Sequence, residues 1–80
     1  MLIEVFGPGC SKCKESAKVA SAFLSAKEIQ GEVVKVTDLD AIVERGVLRT
    51  PAVFIDGEKV IGGRVLREKD LVAFMEKKGL

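Results

Sequence analysis

Histidine, tyrosine and tryptophan are absent from this 80-residue chain, and cysteine and proline occur only twice each. Each absence closes off a class of function. A structural zinc site draws four ligands from cysteine and histidine, and the chain offers two such residues. Four phenylalanines are the whole aromatic complement, too few for a platform that stacks nucleic-acid bases. Charge of one sign is missing too. Thirteen basic and 12 acidic residues leave a net +1, with one small basic cluster at Lys77-Lys78. That balance points away from nucleic acid and anionic membranes as partners. The opening "MLIEVF" meets a charge at Glu4 and a break at Gly7, too early for a signal peptide or a membrane span. The expected compartment is the cytoplasm, where structural disulfides are uncommon.

What is present is a large apolar share, 48% of residues, enough for one small core. Its patterning predicts one domain, residues 1–80, of β-α-β-α-β-β-α order. "LIEVF", 2–6, reads as a strand halted by Gly7-Pro8-Gly9. From Ser11 a helical period sets in, with Cys13, Ala17, Ala20 and Leu24 on one stripe, Phe23 beside it, and Gly31 as the stop. "EVVKV", 32–36, is a second strand. Asp38 then caps a short helix through Glu44, ended by Gly46. "AVFI", 52–55, leads through Asp56-Gly57, a pair suited to a type I′ turn, into a strand at 59–61. A last helix, 67–78, is expected to bury Leu71, Val72, Phe74 and Met75. The first half is a βαβ unit with parallel strands, the second a hairpin followed by a helix. The implied fold is α/β, one four-stranded mixed sheet flanked by helices.

Both cysteines fall within "GPGCSKC", at the junction of the first strand and first helix. In open α/β sheets a site forms just there, beyond the carboxyl end of a strand. A staple between Cys10 and Cys13 would close a very short loop and contribute only about 2 kcal/mol. A reactive pair fits better. Cys10, at the helix N-terminus, meets backbone N–H groups that lack helical partners and the positive end of the helix dipole, and both favour thiolate over thiol. Lys12 adds positive charge nearby. The expected assignment is therefore Cys10 as nucleophile, Cys13 as resolving thiol one turn further in, and Lys12 as a thiolate-stabilising cation. Two thiolates also suit a soft ion such as Cu(I), and the loop resembles that of heavy-metal-associated domains. Those domains run β-α-β-β-α-β and end on a strand, whereas this chain is read as ending on a helix.

A second motif lies far from the first. "TPAVFIDGEKVIGG", Thr50 to Gly63, joins a Thr-Pro pair to a strand, a tight turn, a strand and Gly-Gly. With the CxxC after the first strand, it resembles the thioredoxin superfamily over essentially the whole chain. The style is closest to glutaredoxins and the small thioredoxin-like redox-active disulfide proteins of archaea and bacteria. The resemblance implies a minimal thioredoxin-like fold with a cis peptide bond before Pro51. It also implies that the backbone at Thr50 pairs with an extended substrate and that Gly62 and Gly63 allow close approach of substrate. The implied activity is thiol–disulfide exchange with protein disulfides by a monomer, needing no metal or cofactor beyond the Cys10–Cys13 disulfide. Electrons would come from a thioredoxin-reductase-like partner or a low-molecular-weight thiol. The alternatives are a copper carrier using the same two sulfurs, or a redox-sensing module.

The chain departs from the family pattern in two places. Thioredoxins carry Trp-Cys-Gly-Pro-Cys, but here Gly9 precedes the first cysteine and Ser11-Lys12 lie between the two. Glutaredoxins place a lysine shortly before the motif, and "FGPG" has none. Thioredoxins also bury an acid six residues before the first cysteine, where this chain has Glu4; the resemblance implies a carboxylate there that shuttles a proton to Cys13. The strand pattern by itself reads Glu4 as a solvated residue at a sheet edge or end.

Overall fold

The strands with the fewest polar residues take the middle of the sheet. The computed structural model describes residues 1–9 and 11–79. Strands β1 (Leu2–Phe6), β2 (Glu32–Val36), β3 (Ala52–Ile55) and β4 (Glu58–Gly62) form one sheet in the order β2-β1-β3-β4. β1 runs parallel to β2 and antiparallel to β3, and β3 pairs antiparallel with β4. Helices α1 (Ser11–Ala26), α2 (Leu39–Glu44) and α3 (Glu68–Lys78) complete the expected β-α-β-α-β-β-α order.

Strand alternation sends successive side chains to opposite faces, and each face builds its own core. On one, Ile3, Val5, Val53 and Ile55 pack with Cys13, Ala20, Phe23 and Leu24 of α1 and Leu71 and Phe74 of α3. On the other, Phe6, Ala52 and Phe54 pack with Ile42 of α2 and Val47. The order departs from the β-α-β-β-α-β of metal-carrying domains at α2, which stands between β2 and β3.

Local chemistry accounts for most of the boundaries. Asp38 accepts a hydrogen bond from the Asp40 N–H at the start of α2. At its end Gly46 takes φ +80°, with Gly46 N–H to Val43 O and Val47 N–H to Ile42 O at 2.9 and 3.2 Å. That is the paired bonding of a Schellman cap, and it turns Val47 back onto Ile42. In the hairpin, Asp56 and Gly57 both have positive φ (50° and 85°), as a type I′ turn requires. The Asp56 carboxylate also accepts from the Leu2 N–H at 2.8 Å, tying the turn to the start of β1. A bulge puts Val60 opposite no residue of β3, since Val53 pairs with Ile61 and Phe54 with Lys59.

Three readings change. α1 stops at Ala26, not Gly31. Glu28 takes the left-handed conformation (φ 54°), with its N–H on Ser25 O and the Ile29 N–H on Leu24 O. Gly31 serves a close approach instead, because a Cβ there would lie 2.6 Å from the Met1 carbonyl oxygen. Val72 is 37% exposed, because the buried stripe of α3 runs through Leu71 and Phe74 and leaves it to the side. The α1 stripe is rotated as well. Ser16, a polar residue, is fully buried on it, while Ala17 is only partly so.

A left-handed non-glycine residue costs roughly 1 kcal/mol. Glu28→Gly is therefore expected to raise the melting temperature by a few degrees, read by thermal unfolding; a lower melting temperature would refute this account of the cap.

Candidate functional site

Of the described glycines, Gly7 leaves the least room for a side chain. β1 is extended by one more ladder bond, Gly7 N–H to Val36 O at 3.0 Å, and Gly7 is buried. A Cβ on residue 7 would overlap the Cys13 Sγ and stand 3.6 Å from the Thr50 Cβ. Cys13 and Thr50 thus flank the same backbone point from two different elements. Cys13 sits in the first turn of α1 and is 3% exposed.

The Thr50–Pro51 peptide bond is cis. Pro51 is buried and Thr50 exposed. The Pro51 carbonyl accepts from the Gly63 N–H at 2.9 Å, so the second glycine of the Gly-Gly pair is fastened to the proline. Gly62 pairs with Ala52 in the β3–β4 ladder. Gly63 has φ +90°, and a Cβ there would press on the Arg49 side chain at 3.1–3.2 Å. Cys13, Gly7, Thr50, Pro51 and Gly63 therefore form one contiguous wall, although the sequence separates them by up to 56 positions. Lys12 lies in the first turn of α1 and is exposed. Cys10, the expected nucleophile, and with it the expected Cys10–Cys13 pairing, lies outside the described residues.

Glu4 does not join this wall. It stands on a central strand, between Val34 and Phe54, and its side chain is mostly buried. Its carboxylate accepts from the Arg45 guanidinium at 3.3 Å, and that guanidinium lies over the Phe54 and Phe6 rings at 4.7 and 5.4 Å from their centroids. Alternation puts Glu4 on the face of Phe6 and α2, while Cys13 packs on the opposite face with Ile3 and Val5. The edge position expected for Glu4 is thus replaced by a structural one: a charge mostly buried on a central strand, paired and covered by an arginine.

Two residues near the site escape a sequence reading. Gly7 looks like part of a Gly-Pro-Gly break, yet its lack of a side chain is what lets Cys13 reach β1. Ser16 looks like a solvent-facing helix residue, yet it is buried one turn beyond Cys13 and its Oγ accepts from the Leu66 N–H at 3.0 Å. The one available signal is its spacing of three from Cys13, which puts it on the same helix face.

Ser16 belongs to a set of bonds that hold the segment leading from Gly63 into α3. Asp70, in the first turn of α3, accepts from Arg64 Nη1 and Nη2 at 2.8 and 2.6 Å and from the Arg67 N–H at 2.9 Å. The Arg64 guanidinium holds the Asp70 carboxyl below its usual range, the Arg67 N–H adds to this, and partial burial opposes both. Arg64 is pushed up by the same hydrogen bonds. Among the described residues no group of three or more cysteine, aspartate or glutamate side chains converges in a way that could hold a metal ion, and no helix is long and apolar enough to cross a membrane.

Comparison with known proteins agrees with this geometry. Residues 1–76 match the family described as Thioredoxin domain. A protein of Methanothermobacter thermautotrophicus named thioredoxin is 32% identical over 71 residues, which span 89% of this chain and 92% of that protein. A thioredoxin of Methanocaldococcus jannaschii is 35% identical over 65 residues, spanning 81% of this chain and 74% of the relative.

Two outcomes test the wall and its brace. Gly7→Ala inserts a methyl where Cys13 sits and is expected to cost about 1–3 kcal/mol in denaturant unfolding, the range for overpacking; an unchanged midpoint would mean that the space is not filled. Asp70→Asn is expected to cost about 1–2 kcal/mol at neutral pH. Because the folded pKa of Asp70 is depressed, its contribution is complete above the unfolded carboxylate value of about 3.9 and disappears as pH falls through the lower folded value. Wild type and Asp70→Asn should therefore converge in stability at the acid end and diverge above it. Parallel curves would remove the ion pair from the account.

Proposed function

Because the chain belongs to the thioredoxin family, we propose that it is a thiol–disulfide oxidoreductase acting on protein disulfides through Cys10 and Cys13. The observation that carries this reading is the placement of Cys13. It is buried in the first turn of α1 against Gly7, with Thr50 of the cis Thr50–Pro51 bond beside the same glycine.

The cycle starts with Cys10 as thiolate. Its sulfur attacks one sulfur of a substrate disulfide, the S–S bond breaks, and the departing substrate sulfur leaves as a thiolate that takes up a proton. The product is a mixed disulfide between Cys10 and substrate. Cys13, deprotonated, then attacks the Cys10 sulfur. The substrate leaves with both of its sulfurs reduced, and the protein retains a Cys10–Cys13 disulfide. Two electrons have passed from the protein to the substrate. A dithiol reductase or a low-molecular-weight thiol restores the dithiol, and no cofactor other than the cysteine pair enters.

Each neighbour has a part in that cycle. Thr50, exposed before a buried proline, offers its backbone to an extended substrate, and Gly62 and Gly63 add no side chain of their own to the adjoining surface, which the Lys59 and Arg49 side chains border. Lys12 favours the thiolate state of Cys10 by its charge. Burial denies Cys13 to a protein substrate and so reserves it for resolution. A reducing compartment such as the cytoplasm suits a cycle that begins from the dithiol.

The test divides labour between the sulfurs. In Cys13→Ser, attack proceeds and resolution cannot, so mixed disulfides with lysate proteins should accumulate on Cys10. Cys10→Ser should trap little. Iodoacetamide should alkylate Cys10 fast, with a pH midpoint below that of an ordinary cysteine, and Cys13 slowly. Faster alkylation of Cys13 than of Cys10 would overturn the assignment. Stoichiometric Cu(I) surviving purification, with no reduction of disulfides, would move the two sulfurs to a metal-carrying role.

A further inference from the structure

Most cations of this chain stand outside ion pairs, and three of them gather in one place. Among the described residues, the four ion pairs engage Arg45, Arg64, Lys77 and Lys78. Lys14 and Lys18 of α1 and Lys35 of β2 have no such partner, and they converge on one open groove between the helix and the edge strand. Ser11, the residue next to Cys10 in sequence, lines the mouth of that groove, and Val33 lies in it as an apolar element. Glu15 also lines it, so three cations face one carboxylate.

Geometry makes the groove directional. Lys14 and Lys18 are four apart on the helix and therefore stacked one turn above the other. Lys35 and Val33 alternate with the residues that face α2, so both point to the α1 side of the sheet. From Ser11 to Lys18 the helix rises about 10 Å, the length of roughly three extended residues. A lysine on an edge strand is in itself a common guard against edge-to-edge pairing. A guard, however, needs no pair of lysines brought opposite it from another element.

We infer that this groove receives an acidic extended segment of the protein whose disulfide is exchanged at the CxxC, and that it selects substrates by charge. The inference rests on the oxidoreductase reading above. Carboxylates of the segment would meet Lys14, Lys18 and Lys35, and the segment would leave the groove at Ser11, where the chain continues into Cys10. Cations that spend nothing on internal ion pairs keep their full field for a partner. Such fields act chiefly on the rate of encounter and are screened by salt.

The test uses the pre-reduced full chain in single turnovers. In these the protein dithiol becomes a disulfide while the probe disulfide becomes two thiols. The probes are two synthetic peptides, each bearing one cysteine in a mixed disulfide with mercaptoethanol, flanked by aspartates in one and by lysines in the other. Uncharged dithiodipyridine is the third probe. The aspartate peptide is expected to react faster than the lysine peptide by about tenfold at low ionic strength, with the gap closing as salt is added. Lys18→Glu/Lys35→Glu should abolish or reverse the preference, Lys18→Gln/Lys35→Gln should shrink it, and both should leave dithiodipyridine unaffected. Equal rates for the two peptides in wild type, with dithiodipyridine reactivity intact, overturn the groove alone. An equal loss with dithiodipyridine in the Glu variant likewise overturns it, since the charges would then act on the thiol and not on docking. Binding of a random oligonucleotide as tight as that of the aspartate peptide, and dependent on the same lysines, makes the groove a general polyanion site and overturns the proposal. No Cys10-dependent reaction with dithiodipyridine removes the oxidoreductase reading itself and the groove's role with it.

Discussion

The Cβ that residue 7 lacks is the space in which the Cys13 sulfur sits. Three elements converge there: the exit of β1, the first turn of α1, and the loop that carries Thr50. Were there a side chain at this point, α1 would have to lift from the sheet or the Thr50–Pro51 segment would have to swing away. Either movement opens the contact between the two motifs. The ladder bond from Gly7 to Val36 keeps the backbone on course even though the strand has formally ended. β1 is hydrogen-bonded on both sides, which makes it a rigid post against which the helix and loop are both set.

From that post the rest of the site is braced in series. Pro51 is fixed by burial, and Gly63 is fixed to Pro51 through its N–H. The segment beyond Gly63 is then held twice, by Ser16 through the Leu66 N–H and by Asp70 through Arg64 and the Arg67 N–H. Ser16 stands one turn beyond Cys13, so the same helix that carries the thiol also grips the far end of the loop. A buried hydroxyl that accepts a backbone N–H is tolerable only because the bond is made; left open, it costs about 1–3 kcal/mol. The polar residue on an apolar stripe is thus a coupling between α1 and the segment entering α3.

Features that depend on a few consecutive residues were legible in the sequence. The strand at 52–55, the Asp56-Gly57 turn and the Gly46 cap each follow from local periodicity or from a backbone angle that one residue type adopts readily. The CxxC and the Thr50-Pro51 pair were legible as motifs, and their order supplied the fold. What failed depends on long-range packing. Gly31 was read as a helix stop because stops are often glycine, but the neighbour that excludes a side chain there is Met1, thirty positions away. Ser16 was hidden because its partner is Leu66, and Glu4 because its partner is Arg45. Gly7 was legible as a breaker and illegible as a contact.

Cys13 is a core residue, and that limits the reactive role proposed for it. It shares a cluster with Ile3, Val5 and Val53, so it contributes to the packing that holds α1 against the sheet. At 3% exposure it is closed to a folded partner's sulfur, which suits the resolving role proposed for it. In the proposed cycle this burial suits an order in which Cys10 meets the substrate first and Cys13 acts only afterwards. The arrangement asks little of the chain beyond a glycine to make room, a helix to present the thiol, and a sheet dense enough to keep water and partners away from it.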